Sequence, residues 1–324
     1  MKAAVIHLNG GPEVLRYEDA PDPVCADDGL VIDVQTISIE GGDLLARLMT
    51  PPPGPSHVVG YIAAGTVRAI GAKVKGLGRT LGERVVTLAA NGSHAMQRAA
   101  TGAMMWAIPE GLSTQDAACV PVAFGTAHDC LFNAGSLQKG QTVLVHAGAG
   151  GVGMAAIQLA HRAGATVIAT ASSSDKLERL SAFGLDHGIN CVEQDFVAEV
   201  QKLTGKRGVD VVVDSVGGKT LADSVKVLGW RGRLVSVGIA GRGGSAVNAF
   251  SLWARNNTLH GVLFATCLQA EYPRAHALVA ECLARVASGE LKVEIAKVFS
   301  LAEAAQAHAF IEGRYALGRV VMTT

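Results

Sequence analysis

Three glycines carry the clearest chemistry in this 324-residue chain. Gly148, Gly150 and Gly153 stand at G-x-G-x-x-G spacing within Ala147-Gly148-Ala149-Gly150-Gly151-Val152-Gly153. Residues 141–146 before them follow a buried-strand pattern, and residues 154–161 after them an apolar helical one. That strand–turn–helix context gives the spacing its meaning. The first glycine permits a tight turn, the second lets backbone approach a pyrophosphate, and the third lets helix pack close on strand. Backbone N–H groups of Gly148, Ala149, Gly150, Gly151, Val152 and Gly153, with the helix dipole, then suit an anionic diphosphate. A tight turn with no ligand is the plain alternative. The expectation is a dinucleotide site.

The end of the next strand indicates which dinucleotide. A site for NAD places a carboxylate about 20 residues on, where it accepts from the ribose 2′-OH. Here the chain reads Val167-Ile168-Ala169-Thr170-Ala171-Ser172-Ser173-Ser174-Asp175-Lys176. Hydroxyls and a lysine occupy that place, and Asp175 comes late, as a helix N-terminal residue. Ser172, Ser173 and Lys176 suit a 2′-phosphate, so NADP (NADPH) is favoured over NAD. The alternative is a serine N-cap followed by a surface lysine. Two later loops, Ser215-Val216 after Asp214 and Ser236-Val237-Gly238, end strands of the same sheet. Ligands bind beyond the carboxyl ends of parallel strands, which puts these residues along the nicotinamide half of the cofactor.

The elements that position these groups fall into two rhythms. Up to about residue 110 the chain is strand-like, with strands at 30–37, 65–70 and 83–88 between Gly, Pro and Asp clusters. Residues 51–55, Pro-Pro-Pro-Gly-Pro, form an exposed loop. From about 140, strands at 143–146, 166–170, 188–190, 209–214 and 233–237 alternate with helices near 152–163, 175–183, 195–203 and 219–228. Such alternation implies a parallel sheet covered on both faces. A strand at 258–263 and a helix at 272–287 follow, and 292–322 returns to strand–helix–strand.

Composition narrows the function. Lys and Arg number 28 against 28 Asp and Glu, a net charge of zero that excludes an electrostatically driven nucleic-acid binder. Glycine, at 39 of 324, runs above the usual level of about 7% and locates where backbone must turn or approach. Cys25, Cys119, Cys130, Cys191, Cys267 and Cys282 lack the close spacing of a zinc ribbon or redox motif. They read as reduced thiols of a soluble, cytoplasmic protein with no signal peptide and no membrane span.

Over nearly its full length the chain resembles the zinc-independent quinone oxidoreductase branch of the medium-chain dehydrogenase/reductase superfamily. The shared features include His7 with Gly10-Gly11-Pro12-Glu13-Val14-Leu15, Gly82-Glu83-Arg84-Val85, Thr126-Ala127, the stretch from His146 to Gly153, Gly208 to Gly218, and Gly318-Arg319-Val320-Val321. The resemblance implies an α/β protein in which a Rossmann domain, a doubly wound parallel sheet, interrupts a GroES-like β-barrel catalytic domain. The boundaries expected are 1–122 for the first catalytic segment, 123–264 for the Rossmann domain and 265–324 for the returning segment. It also implies an active site in the cleft and a homodimer or homotetramer formed by edge pairing through 258–263.

The zinc-dependent relatives hold their metal with a Cys and a Gly-His-Glu segment. This chain has Ser38-Ile39-Glu40-Gly41-Gly42-Asp43 and Gly60-Tyr61-Ile62 instead. Without a Lewis acid, an already activated acceptor is favoured: a quinone or α,β-unsaturated carbonyl, taken as a small hydrophobic electrophile. The relatives' Asn-Pro-x-Asp plus aromatic becomes Glu40-Gly41-Gly42-Asp43 with Leu45, and their tyrosine after Ile-Asn becomes Cys191. By resemblance the substrate lining is Asp43, Leu44, Leu45 and Leu48. Catalytic candidates are Thr126 as a nicotinamide or carbonyl contact, Tyr61 as a phenolic proton donor and Glu40 as a proton relay. Each has a plainer reading: a helix N-terminal threonine, a core tyrosine, and a Glu40 salt bridge to Arg47 or another base. His94 and His128 are further proton-donor candidates or hydrogen-bonded structural histidines. An enoyl-thioester reductase and a nucleotide-binding sensor or structural protein with lost chemistry are the rival functions. Replacing Lys176 by Ala is expected to weaken NADPH binding while leaving NADH binding as it was. Unchanged affinity for both contradicts the NADP assignment.

Overall fold

The computed structural model describes residues 1–54, 56–75, 78–244 and 246–324; Pro55 of the proline-rich loop lies outside the described residues. Along the chain come β1 (Lys2–Ile6), β2 (Arg16–Asp19), β3 (Gly29–Ser38), α1 (Gly41–Met49), β4 (His57–Val58), β5 (Ile62–Ile70), β6 (Arg84–Leu88), β7 (Gln97–Thr101) and β8 (Met105–Ala107). Helix α2 (Pro121–His128) precedes the alternating part: β9 (Thr142–Val145), α3 (Gly151–Arg162), β10 (Thr166–Ala171), α4 (Ser174–Leu180), β11 (His187–Asn190), α5 (Phe196–Leu203), β12 (Val209–Asp214), α6 (Gly218–Ser224), β13 (Leu228–Ser236) and β14 (Thr258–Gly261). The chain closes with α7 (Phe264–Ala270), α8 (Tyr272–Ala287), β15 (Ile295–Ser300), α9 (Ala304–Glu312) and β16 (Arg319–Thr323).

Two compact units divide these elements. One contains Met1–Pro121 with His276–Thr324, the other Val122–Ala275. The first is β-rich. A small sheet orders β2-β1-β4, and a larger one runs β15-β16-β3-β5-β6-β8 with β7 also paired to β3. All these pairings are antiparallel except β15 with β16. Its apolar core draws on both segments, with Ile6, Ile32, Val67 and Val85 packed beside Leu301, Ala307 and Met322. The returning segment is therefore part of the same folding unit, because its strands and helix complete that core.

The second unit is a six-stranded parallel sheet in the order β11-β10-β9-β12-β13-β14. Counted within the unit this is 3-2-1-4-5-6, the doubly wound order. Strand β9 has β10 on one side and β12 on the other, so the chain reverses direction of travel at the carboxyl ends of β9 and β12. The strands are apolar on both faces, as a sheet covered on both sides requires: Val143, Leu144 and Val145 are 0% exposed. The return to the first unit falls at residue 276, later than the 265 expected from sequence. Helix α7 and the start of α8 belong with the Rossmann sheet for two physical reasons. A Cβ on Gly125 of α2 would strike the ring of Phe264. Arg274 donates from Nη1 (2.8 Å) and Nη2 (3.2 Å) to the two carboxylate oxygens of buried Asp129.

Candidate cofactor and active site

At the switch point of the parallel sheet, β9 runs into the glycine loop and α3. The entry is held by backbone: Gly148 N donates to Thr170 O at 2.8 Å, and Gly150 N to Ala147 O at 2.9 Å. Ala147 sits at φ +51°, a left-handed turn that points the chain back over the strand. Gly153 is closed to any side chain, since a Cβ there would collide with Ala147 O and lie 2.7 Å from Gly148 Cα. At Gly150 the only neighbour of an added Cβ is Ala147 O at 3.4 Å. One glycine brings the helix onto the loop, and the other leaves backbone facing open space at the helix start. The first amides of α3 have no carbonyl one turn earlier, so their N–H groups aim into that space.

The neighbouring strand end fits the same site. Ser173 caps α4, its Oγ accepting from Lys176 N at 3.4 Å. Burial lowers the Lys176 ammonium from its ordinary pKa, with Asp175 acting in the opposite direction. Ser172 and Ser173 are partly buried. Cys191, which follows Asn190, is exposed and donates its amide to Ala171 O at 3.0 Å, so it borders this pocket of hydroxyls. At the end of β12, Asp214 is wholly buried and its Oδ1 accepts from Val216 N (2.7 Å) and Gly217 N (2.9 Å), fixing the Ser215–Val216 turn. The loop after β13 lies directly on it. Val237 N donates to Asp214 O at 2.8 Å and Ala240 N to Ser215 O at 3.0 Å. Ser215, Val216, Ser236, Val237 and Gly238 thus form one shelf beyond the strand ends. Thr126 lies on α2 of the same unit, 5% exposed.

The β-rich unit carries the second group of candidates, around the start of α1. Glu40 is its N-cap, and Glu40 and Asp43 form a reciprocal capping box. The Glu40 carboxylate is paired with Arg319 of β16, and Ser38 Oγ donates to it at 3.2 Å. Nη2 of Arg319 also reaches Ser38 Oγ (2.6 Å) and Ile39 O (3.1 Å). Burial, the largest single influence, would lower the Arg319 guanidinium, but Glu40 and Cys119 together outweigh it and raise the pKa. Glu40 thus pairs with Arg319, and Arg47 pairs with Glu312 at 2.5 Å. Asp43 is 0% exposed, accepting from Glu40 N (2.8 Å) and Tyr61 N (3.1 Å). Leu44 is 7% exposed and packs in the unit's core. Asp43 and Leu44 are two of the four residues expected to line the substrate. Both point inward, because α1 is amphipathic and these positions form its core-facing stripe. Leu45 lies off that stripe and Leu48 borders it, one turn beyond Leu44; both are half-buried.

Tyr61 is half-buried with its ring laid against Gly42, where a Cβ would overlap the ring. Burial raises the phenol pKa, and the Asp43 and Glu40 carboxyls add to the effect. His94 is a structural histidine: fully buried, its Nδ1 is 3.1 Å from Ser93 Oγ and its Nε2 2.9 Å from Nε2 of His308. Burial and the Arg98 charge lower its pKa to about 3, which removes it as a neutral-pH acid. The His128 ring packs against Phe132, tilted by 58° with centroids 4.8 Å apart. Among the described residues, no three His, Cys, Asp or Glu side chains group to hold a metal ion, and no helix is long and apolar enough to cross a membrane.

A doubly wound sheet with a glycine loop at its switch point, joined to a GroES-like β unit, defines a dinucleotide-binding protein of the medium-chain dehydrogenase/reductase type. The comparisons refine this. Residues 151–281 match the family described as zinc-binding dehydrogenase. A 2-haloacrylate reductase of a Burkholderia species is 32% identical over 332 aligned residues, covering 99% of this chain and 98% of that protein. The quinone oxidoreductase of Sus scrofa is 28% identical, covering 99% and 97%. The solved structure of Escherichia coli quinone oxidoreductase complexed with NADPH superposes with a TM-score of 0.93 at 28% identity, all of both chains being covered. The chain belongs to the quinone oxidoreductase branch of the medium-chain dehydrogenase/reductase superfamily.

Sequence reasoning missed Arg319 as the partner of Glu40, the Asp43 cap, and the buried histidines His146 and His308. The Asp43 cap had a local signal, Glu40 and Asp43 three apart ahead of an apolar run. The Arg319 pairing had none, being 279 residues distant. Burial raises the Asp43 carboxyl to about 8, with the two amide hydrogen bonds acting against it. A carboxyl raised on folding favours the folded state below its unfolded pKa of about 4. That contribution is lost as pH climbs through about 8. Asp43→Asn should therefore flatten the fall in stability between these limits, a slope of at most about 1.4 kcal/mol per pH unit. Denaturant midpoints at pH 5, 6.5 and 8 test this, and an unaltered slope in the variant contradicts the assignment.

Proposed function

We propose that this chain is an NADPH-dependent oxidoreductase that reduces a quinone or an α,β-unsaturated carbonyl, without zinc. The observation that carries the reading is the loop at the switch point. It is closed to side chains at Gly153 and open at Gly150, so the start of α3 presents bare backbone to a diphosphate. The NADPH complex of the E. coli relative, similar over the whole chain, supports the choice of cofactor. Ser172, Ser173 and Lys176 would hold the 2′-phosphate, and the shelf of Ser215, Val216, Ser236, Val237 and Gly238 would lie along the nicotinamide. When bound, the nicotinamide supplies a hydride.

The chain's own residues orient and protonate. Thr126 would position the nicotinamide or the acceptor carbonyl, and Tyr61 would hold a proton at its phenolic oxygen. The raised phenol pKa keeps that proton in place at neutral pH. Leu45 and Leu48 would provide apolar lining for a hydrophobic electrophile. The donor set supports zinc independence: Ser38 and Glu40, in one of the stretches that correspond to the zinc enzymes' ligand segments, are already taken up by Arg319. Reduction of an activated double bond needs no alkoxide-stabilising metal, because the charge spreads onto an enolate or hydroquinone oxygen.

The same reading includes a homodimer or homotetramer paired through the edge strand β14, and residence in a reducing cytoplasm. Leu259 of that strand, Leu263 after it, and Phe250 and Trp253 before it are all exposed, more apolar surface at a sheet edge than a monomer usually leaves uncovered. All six cysteines are free thiols. Binding of NADPH, followed by its fluorescence, and then its oxidation by quinones, enones, enoyl thioesters and aldehydes with and without a chelator tests the function. We expect turnover with quinones or enones, a preference for NADPH over NADH, and no loss on chelation. Binding without turnover on any of these acceptors contradicts the enzyme reading, and loss on chelation contradicts zinc independence.

A further inference from the structure

We infer that His146 is a positioning residue for the dinucleotide loop, acting through a one-way chain of hydrogen bonds that fixes the left-handed turn at Ala147. The inference rests on the cofactor reading proposed above and adds to it a residue that contacts no ligand.

His146 is the first residue beyond β9 and is 2% exposed. Its ring stands between two other segments of the same unit. Nδ1 lies 3.1 Å from Thr170 Oγ1 on β10, and Nε2 lies 3.0 Å from Ser224 Oγ at the end of α6. The ring of Phe196 covers it edge-on, with centroids 4.7 Å apart.

The partners of the two hydroxyls set the direction of every bond. Ser224 Oγ gives its one hydrogen to Thr220 O at 2.7 Å, so toward the imidazole it can only accept. The proton of the ring therefore sits on Nε2, and Nδ1 is left as an acceptor. Thr170 supplies that acceptor from its own hydroxyl hydrogen. Its oxygen is then free to accept from Ala147 N at 3.3 Å. Read from the loop inward, the order is Ala147 amide, Thr170 hydroxyl, His146 Nδ1, then His146 Nε2, Ser224 hydroxyl and Thr220 carbonyl. Each hydrogen is used once.

This chain matters for the loop because Ala147 is a non-glycine residue at φ +51°, where an L side chain is disfavoured. Something must hold it there, and the amide bond to Thr170 Oγ1 does so. The next amide along, Gly148 N, is fixed by Thr170 O at 2.8 Å. Thr170 thus clamps both residues that open the glycine loop, and His146 orients Thr170. Burial and the Phe196 ring keep the imidazole dry; its pKa falls to about 4, with Asp214 pulling the other way, so the ring stays neutral and the tautomer single.

Thr170→Val keeps the side-chain volume and removes the hydroxyl, leaving the half-buried Ala147 amide without its partner. It should weaken NADPH binding about tenfold. Two His146 variants separate loop positioning from mere packing. The carbonyl of His146→Asn overlays Nδ1 and keeps the acceptor for Thr170, whereas the amide of His146→Gln overlays Nε2 and keeps only the donor for Ser224. We expect the Asn variant to recover most of the NADPH affinity and the Gln variant to resemble Thr170→Val, whatever their melting temperatures. In the wild-type protein, 15N shifts of His146 should show the proton on Nε2. Wild-type protein that fails to bind NADPH overturns the cofactor reading, and this inference falls with it. Wild-type binding with an unchanged Kd in Thr170→Val, equal losses in the Asn and Gln variants, or a proton on Nδ1 each overturns the inference alone.

Discussion

The functional architecture of the Rossmann unit depends on one close approach, the seating of α3 against Ala147 and Gly148 at Gly153. A methyl group there would have to displace loop backbone, not a flexible side chain. Because the helix can sit so low, its first amides lie level with the carboxyl ends of β9 and β12, where the sheet changes direction. The loops after β10, β12 and β13 then need only short turns to reach the same place. Asp214 enforces one of these turns, and the shelf after β13 is bonded to it through backbone.

The β-rich unit solves a different problem, that of holding charge inside a core. Glu40, Arg47 and Arg319 are all buried, and each carries at least one partner. Such groups add little net stability relative to apolar ones, but removing one partner leaves a buried charge and costs several kcal/mol. The value of the arrangement is geometric. Arg319 comes from the last strand and Glu40 from the start of α1, so their pairing ties the returning segment to the first one. Asp43 ties the same helix start to the Tyr61 backbone. A helix locked at its N-terminus presents Leu45 and Leu48 in fixed positions.

Much of this was legible in the sequence, and the reasons differ by element. The parallel sheet was readable because buried strands leave continuous apolar runs: Val209–Asp214 has the bounds expected, Thr142–Val145 is shifted by one residue, and Thr166–Ala171 runs one residue longer. Strand Leu228–Ser236 begins five residues earlier than its apolar core suggests, because Trp230 and Arg231 at its start are not apolar-buried. The glycine loop was readable because backbone constraints are written in residue type. The burial of Asp43 and Leu44 was not legible, because the resemblance identifies a segment, whereas which face of α1 turns inward is decided by the core it packs on. The His146 chain was invisible for a related reason: it joins residues 24 and 78 positions apart through hydroxyls that carry no pattern of their own.

The central claim is that a dinucleotide bound at this loop delivers a hydride directly to an activated carbon. Its most direct test is turnover of an α,β-unsaturated ketone with NADPH deuterated on one or the other face of C4. The account predicts that one isomer places a single deuterium at the β-carbon of the product and the other places none. Product free of deuterium from both isomers, or label lost to solvent, would contradict it.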